Sequence, residues 1–138
     1  MKFRYGRQPD ALNPHLPPTL RPAIRVRLSF GDRHETVLAL IDSGADGTVF
    51  HMSIAEVLGI DSFERQGWAA GISGERMPVY FQKLQLQLIS GPDRVEIEAA
   101  FIDSPGVGAL LGQAGFFEHF RICFDRSRDE IEIRPSSR

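Results

Sequence analysis

Ile41-Asp42-Ser43-Gly44-Ala45-Asp46-Gly47-Thr48-Val49-Phe50 puts a carboxylate directly after an apolar run and follows it with small residues. The run before it, Thr36-Val37-Leu38-Ala39-Leu40-Ile41, is predicted to be a strand; because it alternates poorly, it is expected to be more deeply buried than its neighbours. A charge at the end of a buried strand needs hydrogen-bond donors. The Gly44 amide can supply one, because a residue without a side chain lets the backbone approach closely. Asp-Ser-Gly alone is equally the signature of an Asx-turn. The longer string, with Thr48 and the apolar Val49 and Phe50 after the loop, makes this segment more than a turn.

Upstream, Ile24, Val26 and Leu28 alternate with Arg25, Arg27 and Ser29, which predicts a half-buried strand ending at the Gly31-Asp32 turn. Downstream, Ser53 with Glu56 three residues later predicts a capping box and a short helix through Leu58, stopped by Gly59. Trp68 to Tyr80 reads as a hairpin, with Gly71 and Gly74 flanking its tip and Pro78 marking an edge. Leu84, Leu86 and Leu88, then Val95, Ile97, Ala99 and Phe101, form two more alternating strands around the turn at Gly91-Pro92-Asp93. Gly108 to Gly112 is an apolar strand, Gln113 to Phe120 a second short helix, and Arg121 to Phe124 pairs with Ile131-Glu132-Ile133 through Asp125-Arg126. Short, evenly interrupted strands argue for an all-β antiparallel barrel with one or two short helices.

The 138 residues suffice for one domain and one core. Residues 1–20 hold Pro9, Pro14, Pro17 and Pro18 and are expected to be an extended arm, lying along the body of the domain (21–138) or along a neighbour. A net charge of −2 gives no bulk basic field for a nucleic-acid backbone. Arg4, Arg7, Arg21, Arg25 and Arg27 read instead as a charged solvent face on an edge strand. A nucleic-acid-binding barrel would need aromatic platforms among them, and Phe3, Tyr5 and Phe30 do not interleave on one face. Cys123, alone and within an apolar strand, is expected in the core, which excludes a disulfide framework. His15, His34, His51 and His119 lack metal-binding spacing, so no metal or other cofactor is expected. No apolar run is long enough to cross a bilayer, and no N-terminal apolar stretch resembles a signal peptide. The expectation is a cytoplasmic protein with no membrane or nucleic-acid partner.

The string from Ile41 to Phe50 resembles the active-site segment of retroviral-type, or retropepsin-like, aspartic proteases. Leu110-Leu111-Gly112 resembles the strand that passes beside the catalytic loop in that family, Gly71-Ile72-Ser73-Gly74 its glycine-rich flap, and Phe124-Asp125 with Ile131-Glu132-Ile133 its terminal strands. The resemblance covers roughly residues 21 to 134 and implies a single-lobe aspartic-protease-like closed barrel with a flap hairpin. It also implies Asp42 as the catalytic carboxylate, supported by Ser43, Gly44, Ala45 and Thr48. Thr48 matches a buried hydroxyl that braces the loop, Ile72 with Gly71 the flap tip, and Leu110 an apolar wall of the substrate pockets. Asp46 matches a residue that accepts hydrogen bonds from substrate backbone, and reads equally well as an Asx-turn residue. Trp68 either lines such a pocket or packs on the core, the latter being the expectation.

This chemistry needs two aspartates sharing a proton. The chain has one good copy of the segment, since Asp103-Ser104-Pro105-Gly106 carries proline where the tight turn needs glycine. An active protease of this type is therefore a homodimer with both Asp42 residues on its axis, cutting an extended peptide or protein substrate. The alternative is a silent peptide-binding or dimerisation module of the same fold. Gln113 stands where retroviral enzymes carry an arginine that braces the residue matching Asp46, and Glu75 and Arg76 add charge to the flap.

Overall fold

The computed structural model describes residues 1–70 and 73–136. Strand β4 (Ala23–Phe30) buries Ile24, Val26 and Leu28 and turns Arg25 outward, as a period of two requires. It pairs antiparallel with β5 (Arg33–Ile41) through the turn at Gly31, whose φ of 60° suits a residue without a side chain. β5 is not buried throughout. Ala39 and Ile41 face the core while Leu38, on the opposite face, is 60% exposed, so the apolar run conceals an ordinary alternation with apolar residues on both faces.

The chain then runs through the Asp42 loop into β6 (Val49–His51) and α1 (Met52–Val57). The helix is capped by His51, not by Ser53: β6 delivers His51 in an extended conformation, and its ring nitrogen accepts the Ser53 N–H at 3.1 Å. Leu58 closes the helix and Gly59 leaves it at φ 72°. Next come β7 (Arg65–Ala70) and the long β8 (Arg76–Leu88), joined in register from Arg65 opposite Phe81 to Ala70 opposite Arg76. Gly71 and Ile72, expected at the hairpin tip, lie outside the described residues.

β8 continues past the hairpin into the barrel, where β9 (Arg94–Ile102) flanks it on one side and β4 on the other. With β10 (Ala109–Leu111), six strands close in the order β4-β5-β10-β6-β9-β8 and back to β4. The barrel is mixed where an antiparallel one was expected: β10 runs parallel to β5, and β6 runs parallel to β9. Both parallel pairs follow from the insertion of β10 between β5 and β6, which come just before and just after the Asp42 loop. Phe50, Phe101, Phe116, Leu86, Leu111 and Thr48 are among the fully buried side chains.

Residues 113–119 form a run of turns, and Phe120 begins the next strand, where a second helix over 113–120 was expected. Gly115, at φ 95°, leaves the helical path three residues into the segment. A second sheet, β1-β12-β11, packs the ends of the chain together: β1 (Lys2–Arg4), β12 (Glu130–Pro135) and β11 (Phe120–Asp125). Residues 2–4 thus lie along the body of the domain, and β2 (Gly6–Gln8) pairs with β3 (Thr19–Arg21) to fold the proline-rich stretch into a hairpin. Cys123 is exposed, contrary to the core placement expected for it; Ile122 turns toward the core, so the next residue on the strand points away.

Candidate active site

The loop from Asp42 to Thr48 leaves β5, passes over the end of β10 and enters β6. It is held there almost entirely by backbone groups. The Asp42 N–H donates to the Leu111 carbonyl at 2.9 Å, which fixes the residue at the end of its strand. The Gly44 N–H then donates to Asp42 Oδ1 at 2.9 Å, orienting the half-buried carboxylate from its own loop. From the other side, the N–H groups of Gln113 and Ala114 donate to the Ala45 and Asp46 carbonyls, each at 2.9 Å. Gly112 sits under the crossing, where a Cβ would stand 2.1 Å from the Gly47 carbonyl oxygen and 2.7 Å from that of Ala45. The glycine at the end of the Leu-Leu-Gly strand is therefore a steric requirement of the loop above it.

Thr48 joins these two layers. Its hydroxyl is in a side chain only 1% exposed; it accepts the Gly112 N–H at 3.2 Å and donates to the Ala114 carbonyl at 2.9 Å. Valine has the same shape and neither function, so Thr48→Val is expected to cost about 2 kcal/mol by leaving these groups unpaired. Thr48→Ser, which keeps the hydroxyl, is expected to cost under about 1 kcal/mol. Urea unfolding of both variants checks this: a loss for Thr48→Ser as large as that for Thr48→Val would mean that the methyl packing contributes as much as the hydroxyl, and no loss for Thr48→Val would mean that the hydroxyl bonds contribute nothing.

Gln113 does supply a brace, by another route. Its side-chain Nε2 donates to the Ser43 carbonyl at 2.8 Å, tying down the exposed crest of the loop. A neutral amide makes this bond as well as a guanidinium would, without a charge for Asp46. Asp46 is exposed, and its side chain opens onto a cavity of about 770 Å³. Asp46, Gly47 and Thr48 form one side of that cavity, and Trp68, Ala69 and Ala70 of β7 form another. Trp68 belongs to this opening and not to the core: it is 59% exposed, with the Arg76 guanidinium 4.8 Å from its ring centre. The alternation of β7 faces its side chain away from the barrel, and the Arg76 stem and guanidinium cover part of the ring instead.

Leu110 is half-buried and lines a separate groove of about 420 Å³ with Leu38 and Leu40. Asp103 lies beyond the end of β9, its carboxylate 3.7 Å from the His51 ring. Several cavity residues escaped the sequence reading: Arg65, Glu96, Glu98, Glu118 and His119. The Arg65 guanidinium hydrogen-bonds Glu98, holding that carboxyl below the usual carboxylate range, with Lys83 across the strand pair adding to the effect. The same guanidinium lies 3.8 Å above the centre of the Phe81 ring. The only sequence signal for Glu96 and Glu98 was their alternation with Val95 and Ile97, which also describes an ordinary wet strand face.

No curated protein matches the chain. Among solved structures, a retropepsin-like aspartic protease from Rickettsia conorii is similar over 97% of this chain and 98% of its own, with a TM-score of 0.60 and 15% identity. The EIAV protease, solved in complex with the inhibitor HBY-793, is similar over 67% of this chain and 82% of its own, with a TM-score of 0.51 and 17% identity. At such identities these likenesses concern the fold, and they agree on a retropepsin-like barrel. The family model described as aspartyl protease matches residues 26–114, a span that begins in β4 and ends where Ala114 anchors the Asp42 loop. The chain belongs to the aspartyl protease family.

Proposed function

We propose that the protein is an endopeptidase acting as a homodimer, in which the Asp42 carboxylates of two copies share one proton and activate a water between them. The observation that carries this reading is the Asp42 loop. An aspartate oriented by the Gly44 N–H, on a loop braced by Thr48 and Gln113, opens beside a cavity large enough for peptide side chains. One carboxylate removes a proton from the water as its oxygen attacks the scissile carbonyl, while the other donates its proton to the carbonyl oxygen. Collapse of the tetrahedral intermediate breaks the C–N bond and returns a proton to the leaving amine. The substrate lies extended, pairing its backbone with the hairpin and the loop, where Asp46 accepts substrate N–H groups.

A single chain holds one such loop, so activity must depend on association. Specific activity toward a diverse peptide mixture, read by mass spectrometry, is expected to rise with protein concentration and level off as the dimer fills. Flat specific activity across the dissociation range of the dimer would end the shared-dyad reading. A dimer that cuts nothing would make the cleft a peptide-binding module.

A further inference from the structure

We propose that the cavity beside the Asp42 loop selects substrates carrying a lysine or arginine next to the scissile bond, through Glu96 and Glu118. The inference rests on the endopeptidase reading for its position along the substrate. Its charge argument stands separately.

The lining begins at Asp46 rather than at Asp42, so the cavity receives a side chain flanking the reacting bond and not the bond itself. Among the described residues, four carboxylates border it, from Asp46, Glu96, Glu98 and Glu118, against the one guanidinium of Arg65 and the ring of His119. The Arg65 charge is already spent on Glu98, which also has Lys83 directly across the strand pair. Glu96, two residues earlier on the same face of β9, is opposite Gln85, which brings no charge. Arg94, next on that face, is exposed and not part of the lining. Glu118 accepts the Gly115 N–H at 3.1 Å through one oxygen, and its other oxygen is available to a ligand. Arg65 also shows how a guanidinium fits this wall, held by a β9 carboxylate and flat against an aromatic ring. A substrate cation beside Glu96 would repeat that arrangement, with Val79 and Ala69 receiving its aliphatic stem.

The test uses pairs of peptides that differ at one position flanking the cut, lysine against the uncharged norleucine. Wild type is assayed for cleavage and Asp42→Asn for binding by fluorescence anisotropy, both at about pH 6, where ordinary carboxylates are ionised. At one position lysine is expected to be favoured about tenfold in both readouts. Glu96→Gln combined with Glu118→Gln is expected to reduce that to about twofold or less. No lysine preference in either readout, or a preference that survives the double substitution, overturns the proposal. Carboxylate-dependent lysine binding by a chain that cleaves nothing would uphold the charge selection while rejecting the endopeptidase reading.

Discussion

Asp42→Asn is expected to lower peptide cleavage by roughly 10³-fold while changing stability by no more than about 1 kcal/mol. Asparagine keeps the shape of the side chain, and its carbonyl oxygen can still accept the Gly44 N–H that orients Asp42 Oδ1. What it removes is the acidic proton and the charge, and with them the pair of carboxylates that shares a proton in the proposed dimer. Association should persist or tighten, because two like charges no longer meet on the axis. Mixing makes the test sharper. An equal amount of Asp42→Asn added to wild type is expected to cut wild-type activity to about one half, because many wild-type chains then sit in mixed pairs with a single aspartate. Independent active monomers would show no such loss. Asp103→Asn is the companion control, since Asp103 is also followed by serine and lies just beyond the end of β9. If that substitution abolished cleavage and the activity of wild type were insensitive to dilution, the second carboxylate would lie in the same chain and the dimer would not be needed.

The parts of the fold that were legible in the sequence are those where local pattern and tertiary environment coincide. Ile24, Val26 and Leu28 alternate because β4 has a core on one face and solvent on the other, and a period of two survives any change of partner. The Asp42 loop was legible for a different reason: its backbone path demands a residue without a side chain at Gly112, and such a demand leaves its mark in the residue type. The insertion of β10 left no mark. A three-residue strand carries no register information, and its parallel pairing to β5 is a contact between distant parts of the chain. Antiparallel pairing was the natural expectation for short strands in sequence order, and it failed on either side of the Asp42 loop, where β5 pairs with β10 and β6 with β9.

The candidate site was half legible, and the missing half was its wall. Glu96 and Glu98 read as the wet face of a strand because a side chain that points out of a barrel looks the same whether water or a cleft lies beyond it. Trp68 was expected in the core on hydrophobicity alone, yet it sits on a hairpin that projects past the barrel, where Arg76 shields part of its ring. Cys123 shows the same weakness in miniature, since one residue of register separates a buried position from an exposed one.

Gly112→Ala is expected to be the most damaging single-methyl change near the loop, costing roughly 3 kcal/mol and lowering the melting temperature by about 10 °C. The atoms in the way are backbone carbonyl oxygens, at 2.1 Å for Gly47 and 2.7 Å for Ala45, and neither can swing aside as the end of a long side chain would. To admit the methyl group, the crossing must lift. Lifting it stretches the bonds from the Gln113 and Ala114 N–H groups to the Ala45 and Asp46 carbonyls and pulls Thr48 from the Gly112 amide. The loss is therefore steric and hydrogen-bonding at once, and it reaches Asp42 through its own loop. Gly47→Ala is the control: a Cβ there meets nothing within 4 Å, so stability should stay within about 1 kcal/mol of wild type. Thermal and urea unfolding of the two variants measure the difference without requiring any substrate. A large loss for Gly112→Ala with Gly47→Ala near wild type would establish that the loop is held down onto β10 by contact at one atom's width. Equal, small losses would mean that the crossing has slack, and the position of the Asp42 carboxylate would then not be set by the strand beneath it.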